Sequence, residues 1–179
     1  MIKKILLLLV AIIAVILVVA AFQPAEFRIT RSVTIAAPAA VIFPEVNDFH
    51  RWAAWSPWEK LDPAMKRTFE GPAAGVGAAY AWEGNSDVGA GKMTIAESRP
   101  AEVIRIKLEF FKPMPGLCPT EFTFRPEGAG TNVTWTMSGT KNYGSKVFCL
   151  FMNMDKMVGG DFEKGLATLK TNSEAAAKK

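Results

Sequence analysis

Every position from Ile5 to Phe22 is apolar, and no charge returns until Glu26. A helix over that run rises about 27 Å, close to the thickness of a bilayer's hydrocarbon core. Lys3 and Lys4 precede it, as in a secretory signal or an uncleaved anchor. Ala20 and Ala21 offer small residues for cleavage, but the run is longer than the roughly 7–15 residues of a signal-peptide core, which favours an anchor. The basic N-terminus points to the cytoplasm, although Arg28 and Arg31 on the far side weaken that bias. The expectation is a single-pass inner-membrane protein with its domain on the extracytoplasmic, periplasmic side.

Past residue 26 the pattern alternates. "FRITRSVTI", residues 27–35, sets Phe27, Ile29, Val33 and Ile35 against Arg28, Thr30, Ser32 and Thr34, the period of a half-buried strand. Arg31 interrupts the apolar side and is expected to snorkel to water from a strand end. Six more strands are predicted, over residues 65–70, 78–83, 92–97, 102–111, 120–125 and 132–138, joined by "GNSDVGAG", "RPAE" and "PEGAGTN". One-sided alternation with short turns predicts an antiparallel sheet with one wet face.

Two helical regions flank these strands. Ala37-Pro38 opens a short helix that Pro44 kinks or interrupts. "RWAAWSPWEKLDP", residues 51–63, then reads as a short helix and a loop. Trp52 and Trp55 share a helical face and are expected to pack as a lid over the sheet's open end. Trp58 follows Pro57, leaves the helix, and is available to touch a membrane interface. From Ser145, a plausible N-cap, apolar residues recur at three- and four-residue steps to Leu169. One helix of roughly 29 residues, about 43 Å long, is predicted. Gly159-Gly160 in its middle costs about 1 kcal/mol each relative to Ala, which points to a kink or to a close approach of another group. "NSEAAAKK" closes the chain as a polar tail. The expected organisation is an anchor over 1–25, a folded domain over 26–173 and a tail over 174–179. The fold class is α+β, a seven-stranded curved antiparallel sheet around a long C-terminal helix, preceded by one transmembrane helix.

Composition narrows the function classes. The net charge is +4, but setting Lys3 and Lys4 aside leaves acids and bases nearly balanced and interspersed. No basic face suited to nucleic acid emerges. Cys118 and Cys149 are the only cysteines, and spacing does not show whether they pair. The single histidine excludes a two-histidine metal site, and no HExxH or CxxC occurs. "GNSDVGAGK" is followed by Met93, so it lacks the Ser or Thr of a phosphate loop. No metal, cofactor or nucleotide is expected.

Two side chains are candidates for acid–base work. His50 titrates in a useful range but needs a partner and a nearby substrate; the alternative is an exposed helix-terminal residue beside Arg51. Glu97 shares parity with Met93 and Ile95 and points inward if its strand is regular; the alternative is a solvated carboxylate paired with Arg99. Glu83 falls opposite Trp82, on the wet face. The stronger signal is aromatic and methionine side chains on the inward faces: Trp52, Trp55, Tyr80, Trp82, Met93, Phe110, Phe122, Trp135 and Met137, with Phe151, Met154, Met157 and Phe162 on the helix. Most such residues build core, yet adaptable methionines and aromatics with polar handles also line apolar ligand cavities.

Several stretches carry a resemblance to a known superfamily. "ITRSVTIAAPAAVIFPEVNDFHRWAAWSPWEK" is similar to the opening strand and paired helices of the START-like, or SRPBCC, superfamily. "GPAAGVGAAYAWEGNSDVGAGKMTI", "TNVTWTMSG" and "FMNMDKMVGGDFEKGLATLK" resemble its middle strands, last strand and terminal helix. The likeness covers residues 27–172. It implies a helix-grip fold with a hydrophobic cavity between sheet and terminal helix, as in polyketide cyclase/dehydrase-like and lipid-transport proteins, and it carries no catalytic motif. The leading expectation is membrane-tethered binding of a hydrophobic small molecule or lipid. The rivals are a cyclase, dehydratase or hydrolase using the same cavity, and an envelope interaction module using the outer sheet face. Oligomeric state is open.

Overall fold

The computed structural model describes residues 2–178. Met1 and Lys179, the extreme ends of the expected anchor and tail, lie outside the described residues. Helix α1 (Ile2–Ala21) is followed by strand β1 (Glu26–Ile35), helix α2 (Ala39–Asn47) and two 3-10 turns, Phe49–Ala54 and Pro57–Lys60. The remaining strands are β2 (Lys66–Glu70), β3 (Ala79–Glu83), β4 (Ala90–Arg99), β5 (Val103–Lys112), β6 (Gly116–Leu117), β7 (Thr120–Glu127) and β8 (Gly130–Thr140). Helices α3 (Tyr143–Phe151) and α4 (Met154–Ala176) complete the chain.

The seven expected strands pair antiparallel in the order β1-β8-β7-β5-β4-β3-β2, and the two-residue β6 folds back on β5 as an eighth. Alternation decides which face is dry. Ile29 and Ile35 of β1, Ile104 and Ile106 of β5, Phe122 and Phe124 of β7, and Val133 and Trp135 of β8 are all buried. Phe162, Leu166 and Leu169 of α4 close that core, which α2 extends with Ile42 and Val46. This is the helix-grip arrangement.

Four local expectations differ from the structure. The terminal helix is broken at Met152–Asn153 rather than at the glycine pair, because Asn153 caps a new helix by accepting from the Lys156 N–H at 2.9 Å. Asn142, not Ser145, caps α3. Pro44 stays inside α2 without ending it. The segment expected as a polar tail begins as ordered helix: Ser173 is buried and the Glu174 carboxylate accepts from the Ala36 N–H at 2.8 Å.

The glycine pair has the other meaning left open by the sequence, a close approach. A Cβ on Gly159 would collide with the Arg31 guanidinium, whereas one on Gly160 would meet nothing. Arg31 is not at a strand end. It reaches from mid-β1 across α4, donating from Nη2 to Asp155 at 2.9 Å and from Nε to Glu163 at 2.6 Å. Those hydrogen bonds, to Asp155 first, raise the Arg31 pKa and lower that of Asp155. Further along, Lys170 Nζ donates to the Thr34 carbonyl at 2.6 Å. Helix α4 is thereby clasped to β1 at three levels.

Candidate functional site

Between the sheet and the first half of α4 lies a cavity of about 290 Å³. Its floor is Tyr80 and Trp82 of β3, Met93 of β4, Leu108 and Phe110 of β5, and Trp135 and Met137 of β8. Val158 and Phe162, one helical turn apart on α4, form the roof. Trp52, Ser56, Trp58, Glu59 and Met65 wall one side, and the loop 86–89 with Lys112 and Pro113 borders the other. Only Ser86, Asp87, Lys112 and Pro113 of this lining are exposed, which places the mouth between that loop and the end of β5.

Aromatic stacking fixes the interior. The Trp135 indole lies parallel to Phe162 with centroids 4.0 Å apart and stacks on Phe122 at 4.7 Å. Trp58 meets the Trp135 and Phe162 rings edge-on at 5.7 and 6.2 Å. Trp82 reaches across Gly91, whose missing Cβ leaves room for the indole, and its Nε1 donates to the Val88 carbonyl at 2.9 Å. That bond ties the mouth loop to the sheet.

One corner of this apolar space is polar. Glu59 sits in the second 3-10 turn with only 8 % of its side chain exposed. Its Oε1 accepts from the Tyr80 hydroxyl at 2.7 Å and its Oε2 from Arg67 Nε at 2.8 Å. Burial, reinforced by the Glu59 carboxylate, pushes the Tyr80 phenol well above its ordinary pKa, and the hydrogen bond to Glu59 raises Arg67. The phenol therefore stays protonated and donates inward, leaving its oxygen able to accept from a ligand. The indole N–H of Trp135 is buried and has no partner among the described residues.

Of the residues expected to line a cavity, Trp52, Tyr80, Trp82, Met93, Phe110, Trp135 and Met137 border this one. Five other expected lining residues lie elsewhere. Trp55 and Phe122 are buried behind the cavity wall in solid core. Phe151 and Met157 face outward, at 70 % and 48 % exposure: Phe151 ends α3, before the break at Asn153, and Met157 lies off the face of α4 that Val158 and Phe162 turn to the cavity. Met154 is partly buried at the start of α4, against β1 rather than the cavity. Trp58 lines the cavity rather than projecting from the domain.

Neither acid–base candidate reaches the cavity. His50 is half exposed, bonded through Nδ1 to Asp48 at 2.8 Å and stacked on Phe69 at 4.1 Å. Glu97 is turned out by a bulge between Ile95 and Glu97: Ile95 pairs with Ile106, but Glu97 pairs with Arg105. It forms ion pairs with Arg99 and Arg105, and Ser98 takes the inward place, donating to Asn47 Oδ1 at 2.7 Å. The group that sequence reasoning missed is Glu59. Its signal was a carboxylate next to Trp58 in a tryptophan-rich stretch. Cys118 and Cys149 are both free, and burial raises the Cys118 thiol.

The profile of the family described as polyketide cyclase/dehydrase and lipid transport matches residues 26–174. No curated protein sequence matches at a significant level. Among solved structures, a protein of Chromobacterium violaceum is 18% identical, covers 85% of this chain and 99% of its own, and superposes with a TM-score of 0.59. The di-domain ARO/CYC StfQ from the steffimycin biosynthetic pathway is 11% identical with a TM-score of 0.66, covering 87% of this chain and 53% of its own. Ara h 8.0201 is 11% identical with a TM-score of 0.56, covering 84% of this chain and 99% of its own. At these identities the likeness is one of fold.

Proposed function

Since this chain belongs to the polyketide cyclase/dehydrase and lipid transport family, we propose that it holds a hydrophobic small molecule or lipid in the cavity beneath α4 while α1 tethers it to a membrane. One observation carries the reading: the cavity wall is mostly apolar, with a buried polar corner at Glu59 and Tyr80 and polar residues at the mouth. Such a space suits an amphiphile with an apolar body and one hydroxyl or carbonyl group. Glu59 has both oxygens engaged by the protein, which suits the corner to recognising a polar group.

Tethering rests on α1, in which an 18-residue window has a mean hydropathy of 3.2 and is almost entirely uncovered by the domain. The charge arrangement favours an inner-membrane protein with the domain outside the cytoplasm. Native mass spectrometry of the full chain released from detergent tests the binding. The wild type is expected to carry a co-purified apolar mass that denaturation releases, and Leu108→Trp, which fills the cavity, is expected to lose it. A wild type without such a mass, or one retained equally by Leu108→Trp, overturns the reading.

The same corner supports a second reading, a cyclase or dehydratase, because Tyr80 and Glu59 stand against any bound ligand. It predicts that the released ligand is chemically changed by the wild type and unchanged by Glu59→Gln.

A further inference from the structure

The sheet register places the cavity mouth at the end of the domain from which α1 emerges. At that end Glu26 pairs with Thr140, Ser138 bonds to the Pro119 carbonyl, Ala90 pairs with Lys112, and Lys66 with Glu83. The mouth residues Ser86, Asp87, Lys112 and Pro113 belong to the same row of strand ends. Helix α4 also begins there, since Asp155 meets Arg31 whereas Glu174 reaches Ala36 at the far end of β1.

Two exposed apolar features stand at this end. The β5–β6 hairpin presents Phe111, Met114 and Leu117, and α3 presents Phe148 and Phe151, all about half exposed or more. No residue of α3 is buried. Helix α3 instead packs against α1, and the Tyr143 hydroxyl donates to the Leu17 carbonyl at 2.6 Å. Leu17 lies four residues before the end of α1, about 6 Å down its axis, which is the depth at which amphipathic helices sit in a bilayer interface. Lys146 within α3, and Lys141 and Lys156 on either side of it, make no ion pair among the described residues, leaving them available to anionic headgroups.

Building on the proposed tether, we infer that α3 and the β5–β6 hairpin are embedded in the interfacial layer of the bilayer that α1 spans, so that the cavity mouth opens onto the membrane surface. The occupant of this apolar rim is lipid. Continuity with α1 commits it: a helix bonded alongside the last turns of a membrane span lies at headgroup depth. The ligand then passes between bilayer and cavity without crossing bulk water.

The test uses the full chain in phosphatidylcholine–phosphatidylglycerol vesicles. Environment-sensitive dyes are placed at Met114→Cys, Phe148→Cys and Glu102→Cys in a Cys118→Ala, Cys149→Ala background, with nitroxide-bearing lipids as quenchers. Glu102 lies in the β4–β5 turn at the opposite end. Quenching at 114 and 148 is expected to exceed that at 102 several-fold; equal quenching at all three overturns the proposal. Unlabelled wild type with photoactivatable lipids provides a check free of substitution: cross-links are expected within 110–118 and 143–152 and not within 99–102. Cross-links absent from the first two ranges overturn the proposal. Resistance of the chain to carbonate extraction distinguishes the failures: a resistant chain with a wet rim sinks this inference alone, and an extracted chain sinks the tether beneath it.

Discussion

Replacing Tyr80 by phenylalanine removes one oxygen and leaves another without its donor. Glu59 Oε1, almost fully buried, loses its partner. A stranded buried acceptor costs about 1–3 kcal/mol, so Tyr80→Phe is expected to lower the urea midpoint accordingly. The phenol also makes stability pH-dependent. Its folded pKa is raised, so the folded chain holds this proton more tightly than the unfolded one. The contribution is complete below the ordinary tyrosine value of about 10 and declines as pH climbs through that value toward the folded one. Urea titrations from neutral to strongly alkaline pH should show a decline in the wild type that is shallower in Tyr80→Phe. The tryptophans separate on the same physical ground. Trp55 is 2 % exposed in solid core and bonded to the Glu45 carbonyl, so Trp55→Ala is expected to cost about 3–5 kcal/mol. Trp58 already faces empty space, and Trp58→Ala is expected to cost less while enlarging the cavity; paired denaturation curves check both.

At the scale of elements, the contact between β1 and α4 predicts opposite outcomes at adjacent glycines. Gly160→Ala gains helix propensity without a clash and should stabilise by about 0.5–1 kcal/mol. Gly159→Ala must displace Arg31 from Asp155 and Glu163 and should be less stable than Gly160→Ala. In an Arg31→Ala background the difference between the two should vanish, a double-mutant cycle readable by thermal melts. Because Asp155 has a lowered pKa, the clasp's stability is present above the ordinary aspartate value of about 4 and fades as pH falls through the lower folded value. This element relation was half legible: a glycine pair in a helix announced a kink or an approach, but only the packed strand shows that it is an approach and that Arg31 makes it. Likewise the bulge that expels Glu97 has no local signature, since Ala96 is as compatible with regular alternation as with a break.

For the whole molecule, α1 touches the domain chiefly through α3, while α4 and the sheet form a separate, continuous core. Removal of residues 1–25 is therefore expected to leave hydrogen-exchange protection of β4, β5, β7 and β8 intact and to abolish that of α3. Equal loss in sheet and α3 would refute this division.

What the sequence determined by itself is what periodicity and composition encode. The alternating strands, the three- and four-residue steps of the terminal helix and the uninterrupted apolar run each state which face must be dry, and one dry sheet face needs one apolar helix. That pattern names which side chains turn inward, Tyr80, Trp82, Met93, Trp135 and Met137 among them. Only the tertiary structure decided which inward side chains border empty space and which border one another, because volume left unfilled depends on the curvature of the sheet and on where α4 rests. It also decided that Glu59, Tyr80 and Arg67 meet, since residues from a turn and two strands share no spacing rule. The break at Asn153, which separates Phe151 from the helix that covers the core, goes with a capping hydrogen bond that no apolar periodicity announces.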